Sequence, residues 1–191
     1  MIIIAGPSAS GKTTLANYLE EIGFGKRLIT DTTRMQREHE TDGVDYNFVS
    51  EEEFAKLLAA GEYIETAAYE RIEEDGVRRI VRYGSRRTSY HSDTIAVLTP
   101  SGVRAVRKAK LDATVLFLEI PKEDRITMGM KRGDREEEVL RRAETDEQDF
   151  DGFAKEANII VNNAGYERSV EEIANYLMAY MRVKKAQNRN G

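Results

Sequence analysis

An α/β fold, with a mainly parallel five-stranded core sheet flanked by helices, is predicted by three observations. Short apolar runs alternate with stretches of helical spacing, and the first apolar run leads through a glycine-punctuated loop into a helix. The chain has 191 residues and 40% hydrophobic composition, enough for one sizeable core without a second independent domain. Ile2–Ala5 reads as a buried strand, residues 6–11 as a loop, and residues 12–22 as a helix with Leu15, Tyr18, Leu19 and Ile22 on one face. Helical spacing recurs at 51–60, 101–108, 134–145 and 169–181, and residues 95–98, 115–118 and 159–161 read as fully buried strands. Residues 63–83 break the alternation. Two strand-like runs there flank Asp75-Gly76, the dipeptide favoured in a type I′ turn, which predicts an antiparallel ribbon with Glu73 facing Arg78.

Composition excludes several function classes. Zero cysteines rule out a disulfide scaffold and thiolate chemistry, and the apolar run at the start is too short for a signal sequence or a membrane span. A cytoplasmic protein without membrane attachment is expected. The net charge of -5 argues against a broad nucleic-acid surface but leaves room for local basic clusters that hold a compact, phosphate-rich ligand. His39 and His91 lack partner spacing for metal or acid-base work and read as surface or turn residues.

Gly6-Pro7-Ser8-Ala9-Ser10-Gly11-Lys12-Thr13 matches G-x-x-x-x-G-K-[ST] between a strand and a helix, where a phosphate-binding P-loop must sit. Backbone N–H groups of such a loop, with the positive end of the helix dipole, cradle the phosphates of ATP. Lys12 is expected on the β- and γ-phosphates, the Thr13 hydroxyl on Mg²⁺, and Thr14 beside it. A P-loop NTPase follows.

A second phosphate needs its own ligands. Thr32-Thr33-Arg34 is followed by Arg37, and two arginines three apart can converge on one phosphate by forked hydrogen bonds, with Tyr46 and Tyr83 adding hydroxyls. These residues, with Asp42-Gly43-Val44-Asp45-Tyr46-Asn47-Phe48, resemble the guanylate kinase family. The likeness continues through Ser50-Glu51-Glu52-Glu53-Phe54, Gly61-Glu62-Tyr63-Ile64-Glu65 and Tyr83-Gly84-Ser85, and more weakly through Gly102-Val103, Lys131-Arg132-Gly133 and Ile160-Val161-Asn162-Asn163.

The resemblance implies transfer of a phosphoryl group from ATP to GMP or dGMP, with Mg²⁺ as cofactor. It implies GMP phosphate ligands at Arg34, Arg37, Tyr46 and Tyr83, guanine readers at Glu65 and Thr30, a further contact at Ser85, and an adenine contact at Asn162. It also implies a single domain: a core at about 1–29, 86–122 and 147–184, a mixed β acceptor lobe with an extended hairpin at 30–85, a helical lid at 123–146, and a flexible tail at 185–191. Catalytic roles fall to Lys12, Arg34, Arg132 and Arg142, the last sharing its alignment position with Arg141.

Three departures from the family pattern stand out. Val97 and Thr99 occupy positions where the family has two aspartates. Asp31 is the expected replacement, positioning metal through bound water. In the lid, Met128 or Gly129 stands where the family has an earlier arginine, and Arg125, Arg132 and Arg135 taken singly read as a solvated helix face. The hairpin is longer than the family's. A P-loop kinase with another nucleotide or sugar-phosphate acceptor, and a non-catalytic interaction module, stay open as readings, as do monomer and homodimer.

Overall fold

The computed structural model of the chain describes residues 1–38, 40–72 and 77–187. In chain order its elements are β1 (Ile2–Ala5), α1 (Lys12–Glu21), β2 (Lys26–Arg27), β3 (Asp31–Thr32), β4 (Asn47–Phe48), α2 (Glu51–Ala59), β5 (Tyr63–Ile72), β6 (Arg78–Arg86), β7 (Thr94–Val97), α3 (Pro100–Lys108), β8 (Thr114–Glu119), α4 (Lys122–Lys131), α5 (Glu136–Asp149), β9 (Ile159–Asn162) and α6 (Val170–Gln187).

The larger sheet runs β2-β7-β1-β8-β9 with every pairing parallel. The central strand β1 is apolar throughout because both of its faces are covered. Ile2 and Ile4 point into one cluster with Leu15 and Leu19 of α1 and Ile173 and Leu177 of α6. Ile3 and Ala5 point the other way, onto Val103 and Val106 of α3 and onto Phe153. The two-residue period of a strand thus divides one core between two helical layers.

Local sequence sets the helix starts. Ser50 accepts from the Glu53 N–H at 3.0 Å, with Glu51, Glu52 and Glu53 filling the first turn of α2. Thr99 caps α3 by accepting from the Gly102 N–H, and Pro100 follows at a first-turn position that needs no donor. Ser169 and Glu172 form a reciprocal capping box ahead of α6.

The smaller sheet runs β4-β3-β6-β5, with β3 and β4 parallel and the other pairings antiparallel. The ribbon expected at 63–83 is therefore present as β5 and β6. Its register places Ile72 opposite Arg78, and Arg78 pairs with Glu70 at 3.2 Å. Glu73 and the Asp75-Gly76 turn lie outside the described residues, as does His39. Helix α6 continues to Gln187, into the segment expected as a flexible tail from 185. Lys184 there donates to Thr114 Oγ1 at 3.0 Å, anchoring the helix to β8; residues 188–191 lie outside the described chain. Among the described residues no helix is long and apolar enough to cross a membrane.

Candidate active site

The phosphate loop leaves the buried end of β1 at Gly6. A Cβ there would stand 2.7 Å from the Leu118 carbonyl, so only glycine lets the loop lie this close to β8. Beyond it the chain curls tightly: Ser10 N–H donates to Pro7 O at 3.2 Å, and Ala9 takes the left-handed conformation at φ 62°. Tyr166 braces the curl from outside, its hydroxyl donating to Ala9 O at 2.9 Å. Lys12 folds back across the loop and donates to Pro7 O at 2.6 Å. Burial pushes its ammonium down to about 8, with Asp146 acting to raise it and Arg125 and Arg132 to lower it. Thr13 and Thr14 are exposed on the first turn of α1, and Ser10 Oγ is buried without a hydrogen-bond partner.

One loop amide is already occupied. Ser8 N–H donates to Asp146 Oδ2 of α5 at 2.7 Å, and Arg125 Nη1 of α4 approaches the same oxygen at 3.3 Å. Arg125 was expected on a solvated face, yet it is 4% exposed. Its Nε donates to Ile120 O at 3.1 Å and its Nη2 to Glu147 Oε1 at 2.5 Å. Helical periodicity could not signal this, because the partners arrive from α5, some twenty positions later in the chain.

The smaller sheet carries the second group of residues. Arg34 follows β3 and is buried, forked onto Glu40 at 2.7 and 3.0 Å, with its guanidinium 5.1 Å from the Tyr46 ring centroid and 5.6 Å from that of Phe48. Burial works against this charge, and Glu40 together with Tyr83 more than offsets it, holding the guanidinium above its usual range. Tyr46 packs on Tyr83 with centroids 5.8 Å apart. Glu40 is a member of the site that sequence reasoning missed.

Glu65 lies on β5 against Gly102 of α3. Ser85 Oγ donates to Glu65 Oε1 at 2.7 Å, which uses the only serine proton. The Tyr90 hydroxyl, 2.7 Å from Ser85 Oγ, must then donate to it. Burial pushes the Glu65 carboxyl up and the Ser85 hydroxyl pulls it back, with burial prevailing. Tyr90, also missed from sequence, closes this relay. Thr30 is half-buried at the start of β3, its carbonyl accepting from Asn47 N–H at 3.0 Å.

A cavity of about 660 Å³ is lined by Arg34 and Arg37 and by Arg135, Arg141 and Arg142 of α5 and its approach. Arg142 also lines a smaller cavity with Ser8, Arg125 and Arg132, so one side chain stands between phosphate loop and large cavity. In this state Arg142 donates to Glu138 at 2.7 Å, and Arg132, exposed at the end of α4, pairs with Asp134.

Asp31 departs from expectation. Its carboxylate is completely buried and accepts from Asn47 Nδ2 at 2.8 Å, the Tyr63 hydroxyl at 2.8 Å and Arg86 Nε at 2.7 Å. A carboxylate so enclosed ties β3, β4, β5 and β6 together, and its three protein donors already satisfy it. Among the described residues no cluster of three or more His, Cys, Asp or Glu could hold a metal ion. The donor set, one exposed Thr13 hydroxyl beside a phosphate loop, fits a Mg²⁺ that arrives with a nucleotide and keeps most of its water. Val97 is exposed at the end of β7, and Thr99 is spent on the cap of α3. Asn162, at the carboxyl end of β9, accepts from Ala164 N–H at 3.2 Å and lies beside Glu119.

Comparison with known proteins places the fold and the family. The guanylate kinase family profile matches residues 1–180. A guanylate kinase of Symbiobacterium thermophilum is 33% identical over 183 residues, 94% of this chain and 84% of that protein. One of Salinibacter ruber is 32% identical over 181 residues, covering 90% of this chain and 92% of the relative. The crystal structure of guanylate kinase from Anaplasma phagocytophilum superposes with a TM-score of 0.66 over 96% of this chain and 85% of that one, at 22% identity, which speaks to the fold. With a profile match across nearly its whole length, a parallel sheet carrying the phosphate loop, and a second sheet carrying the paired arginines, the chain belongs to the guanylate kinase family.

Proposed function

We propose that the protein transfers the terminal phosphoryl group of ATP to GMP or dGMP, giving GDP or dGDP. The observation that carries this reading is the shared cleft. Arg34 and Arg37 line the same large cavity as Arg142, and Arg142 also borders the phosphate loop at Ser8, so donor and acceptor phosphates can meet end to end.

The loop amides and Lys12 hold the phosphates of ATP, with Gly6, Pro7, Ser8, Ala9, Ser10, Gly11, Thr13 and Thr14 forming the cradle and Asn162 near the adenine. Mg²⁺, when bound with ATP and held by Thr13, supplies charge neutralisation at the β- and γ-oxygens. Arg34, Arg37, Tyr46 and Tyr83 aim the acceptor phosphate. Glu65 accepts from N1–H and the 2-amino group of guanine, a pair that adenine lacks, with Ser85 and Thr30 beside it. No general base is required, because the acceptor phosphate is already anionic at neutral pH. Catalysis rests on alignment and on charge stabilisation by Lys12, Arg132 and Arg142. Both arginines must leave their present carboxylate partners, which is the work of closing the cleft. A cytoplasmic location belongs to the same reading.

A coupled assay of ADP release over GMP, dGMP, AMP, UMP, CMP and dTMP tests it. GMP and dGMP should turn over fastest. The exposed Val97 and the capping role of Thr99, at positions where the family pattern has carboxylates, favour a second reading in which another nucleotide is the acceptor. A faster rate with any other monophosphate would establish that reading and displace the first.

A further inference from the structure

Asp146 and Arg125 meet at the phosphate loop, where the mechanism above assigns them no part. The Ser8 N–H is one of the donors that such a loop turns inward for a phosphate oxygen. That donor holds the Asp146 carboxylate at 2.7 Å, and Arg125 Nη1 reaches the same oxygen at 3.3 Å. A carboxylate oxygen and a phosphate oxygen make the same demand on these donors: both are anionic, acceptor-only, and satisfied by an amide together with a guanidinium. Two anions cannot share the Ser8 N–H, so a phosphate that takes it must expel Asp146. Arg125 is then left beside the incoming oxygen with one of its carboxylate partners gone, and a buried guanidinium in that position needs a replacement. Arg125 also lies one helical turn before Met128 on α4, and Met128 or Gly129 stands where the family resemblance calls for a lid arginine.

We propose that Arg125 is a catalytic residue that meets the terminal phosphate of ATP in place of the missing lid arginine, and that Asp146 is an internal anion holding its position until ATP arrives. The proposal rests on ATP as the occupant of the loop, and not on which acceptor is used. Arg132 and Arg142 line the same small cavity as Arg125 and Ser8.

The test compares calorimetric binding of ADP and of a non-hydrolysable ATP analogue to the full chain. In Arg125→Gln the preference for the ATP analogue over ADP should fall by about tenfold or more, while ADP affinity stays within threefold of the parent. A merely structural Arg125 would weaken both nucleotides alike, and that result overturns the proposal. Arg125→Lys should keep part of the preference, as a point charge without the fork. Should Arg125→Gln fail to fold, Asp146→Asn decides: loss of the competing anion should tighten the ATP analogue severalfold more than ADP. Unchanged or weaker binding of the analogue by Asp146→Asn sinks the idea. Because binding is read without acceptor, a chain that binds as expected but gives no GMP-dependent ADP release would refute the proposed function and leave this assignment standing.

Discussion

At the scale of single residues, the site sets charge against burial. Lys12 is the clearest case, its ammonium brought down to about 8 by desolvation, against the pull of Asp146 and with the push of Arg125 and Arg132. A folded-state value below the unfolded one means that the unfolded chain binds the extra proton more readily. The cost is therefore fully present below pH 8 and is relieved as pH rises toward the unfolded value near 10.5. Lys12→Met should accordingly not lower the unfolding midpoint at neutral pH, while turnover falls by roughly three orders of magnitude; a lowered midpoint would show that the Pro7 contact outweighs the desolvation. Dissociation constants for ATP should be flat below pH 8 and rise up to about tenfold per unit above it in a titration series. Asp31 sets the opposite balance, since three donors satisfy its buried carboxylate. Asp31→Ala should cost about 3 kcal/mol in denaturant unfolding, chiefly by stranding Arg86 and Tyr63, with the Mg²⁺ dependence of the rate unchanged; a shifted metal dependence would restore Asp31 to the metal. Tyr90 works through Ser85 on Glu65. Tyr90→Phe should lower the preference for GMP over IMP, which lacks the 2-amino group, by about fivefold in kcat/KM. An unchanged ratio would leave Tyr90 as packing alone.

At the scale of elements, the two sheets are stabilised differently. The parallel sheet is covered on both faces by apolar helices, and that is why its strands read as continuous hydrophobic runs. The smaller sheet leans on aromatic packing: Phe54 of α2 stacks on Tyr63 of β5 with ring centroids 4.7 Å apart, directly over Gly84 of β6. A Cβ at Gly84 would stand 2.9 Å from the Tyr63 ring and 3.1 Å from Phe54. Gly84→Ala should therefore destabilise by roughly 1 to 3 kcal/mol in chemical denaturation, forcing α2 off the sheet. A neutral effect would show the rings free to shift. The legibility of the elements follows the same division. Strands β1 and β8 announce themselves because two-sided burial demands unbroken apolar sequence, whereas β9, read as fully buried, is an edge strand with Ile160 47% exposed. By contrast β3 and β4 are two residues each and carry Asp31 and Asn47, and α4 has few buried positions, so neither period stands out. Helix α5 runs from 136 to 149, four residues beyond its legible end, because its last turn is polar and carries Asp146 and Glu147, the partners of Arg125.

At the scale of the whole molecule, Arg142 of α5 borders both the small cavity beside Ser8 and the large one lined by Arg34 and Arg37, and the proposed function needs the two to join. A compound joining adenosine and guanosine through five phosphates should bind at least about a hundredfold tighter than GMP alone, because the second contact becomes intramolecular. Equal affinity would mean that the two sites do not face each other. The sequence by itself determined the alternation of strands and helices, the phosphate loop and the arginine pair. Each is written in contiguous residues whose spacing is dictated by backbone geometry. Only the tertiary structure decided that Asp31 is walled in by Asn47, Tyr63 and Arg86, that Tyr90 orients Ser85, and that Asp146 sits on a loop amide 138 positions away. Those outcomes depend on which distant side chains share a low-dielectric space, and a carboxylate's role there is set by the donors that surround it.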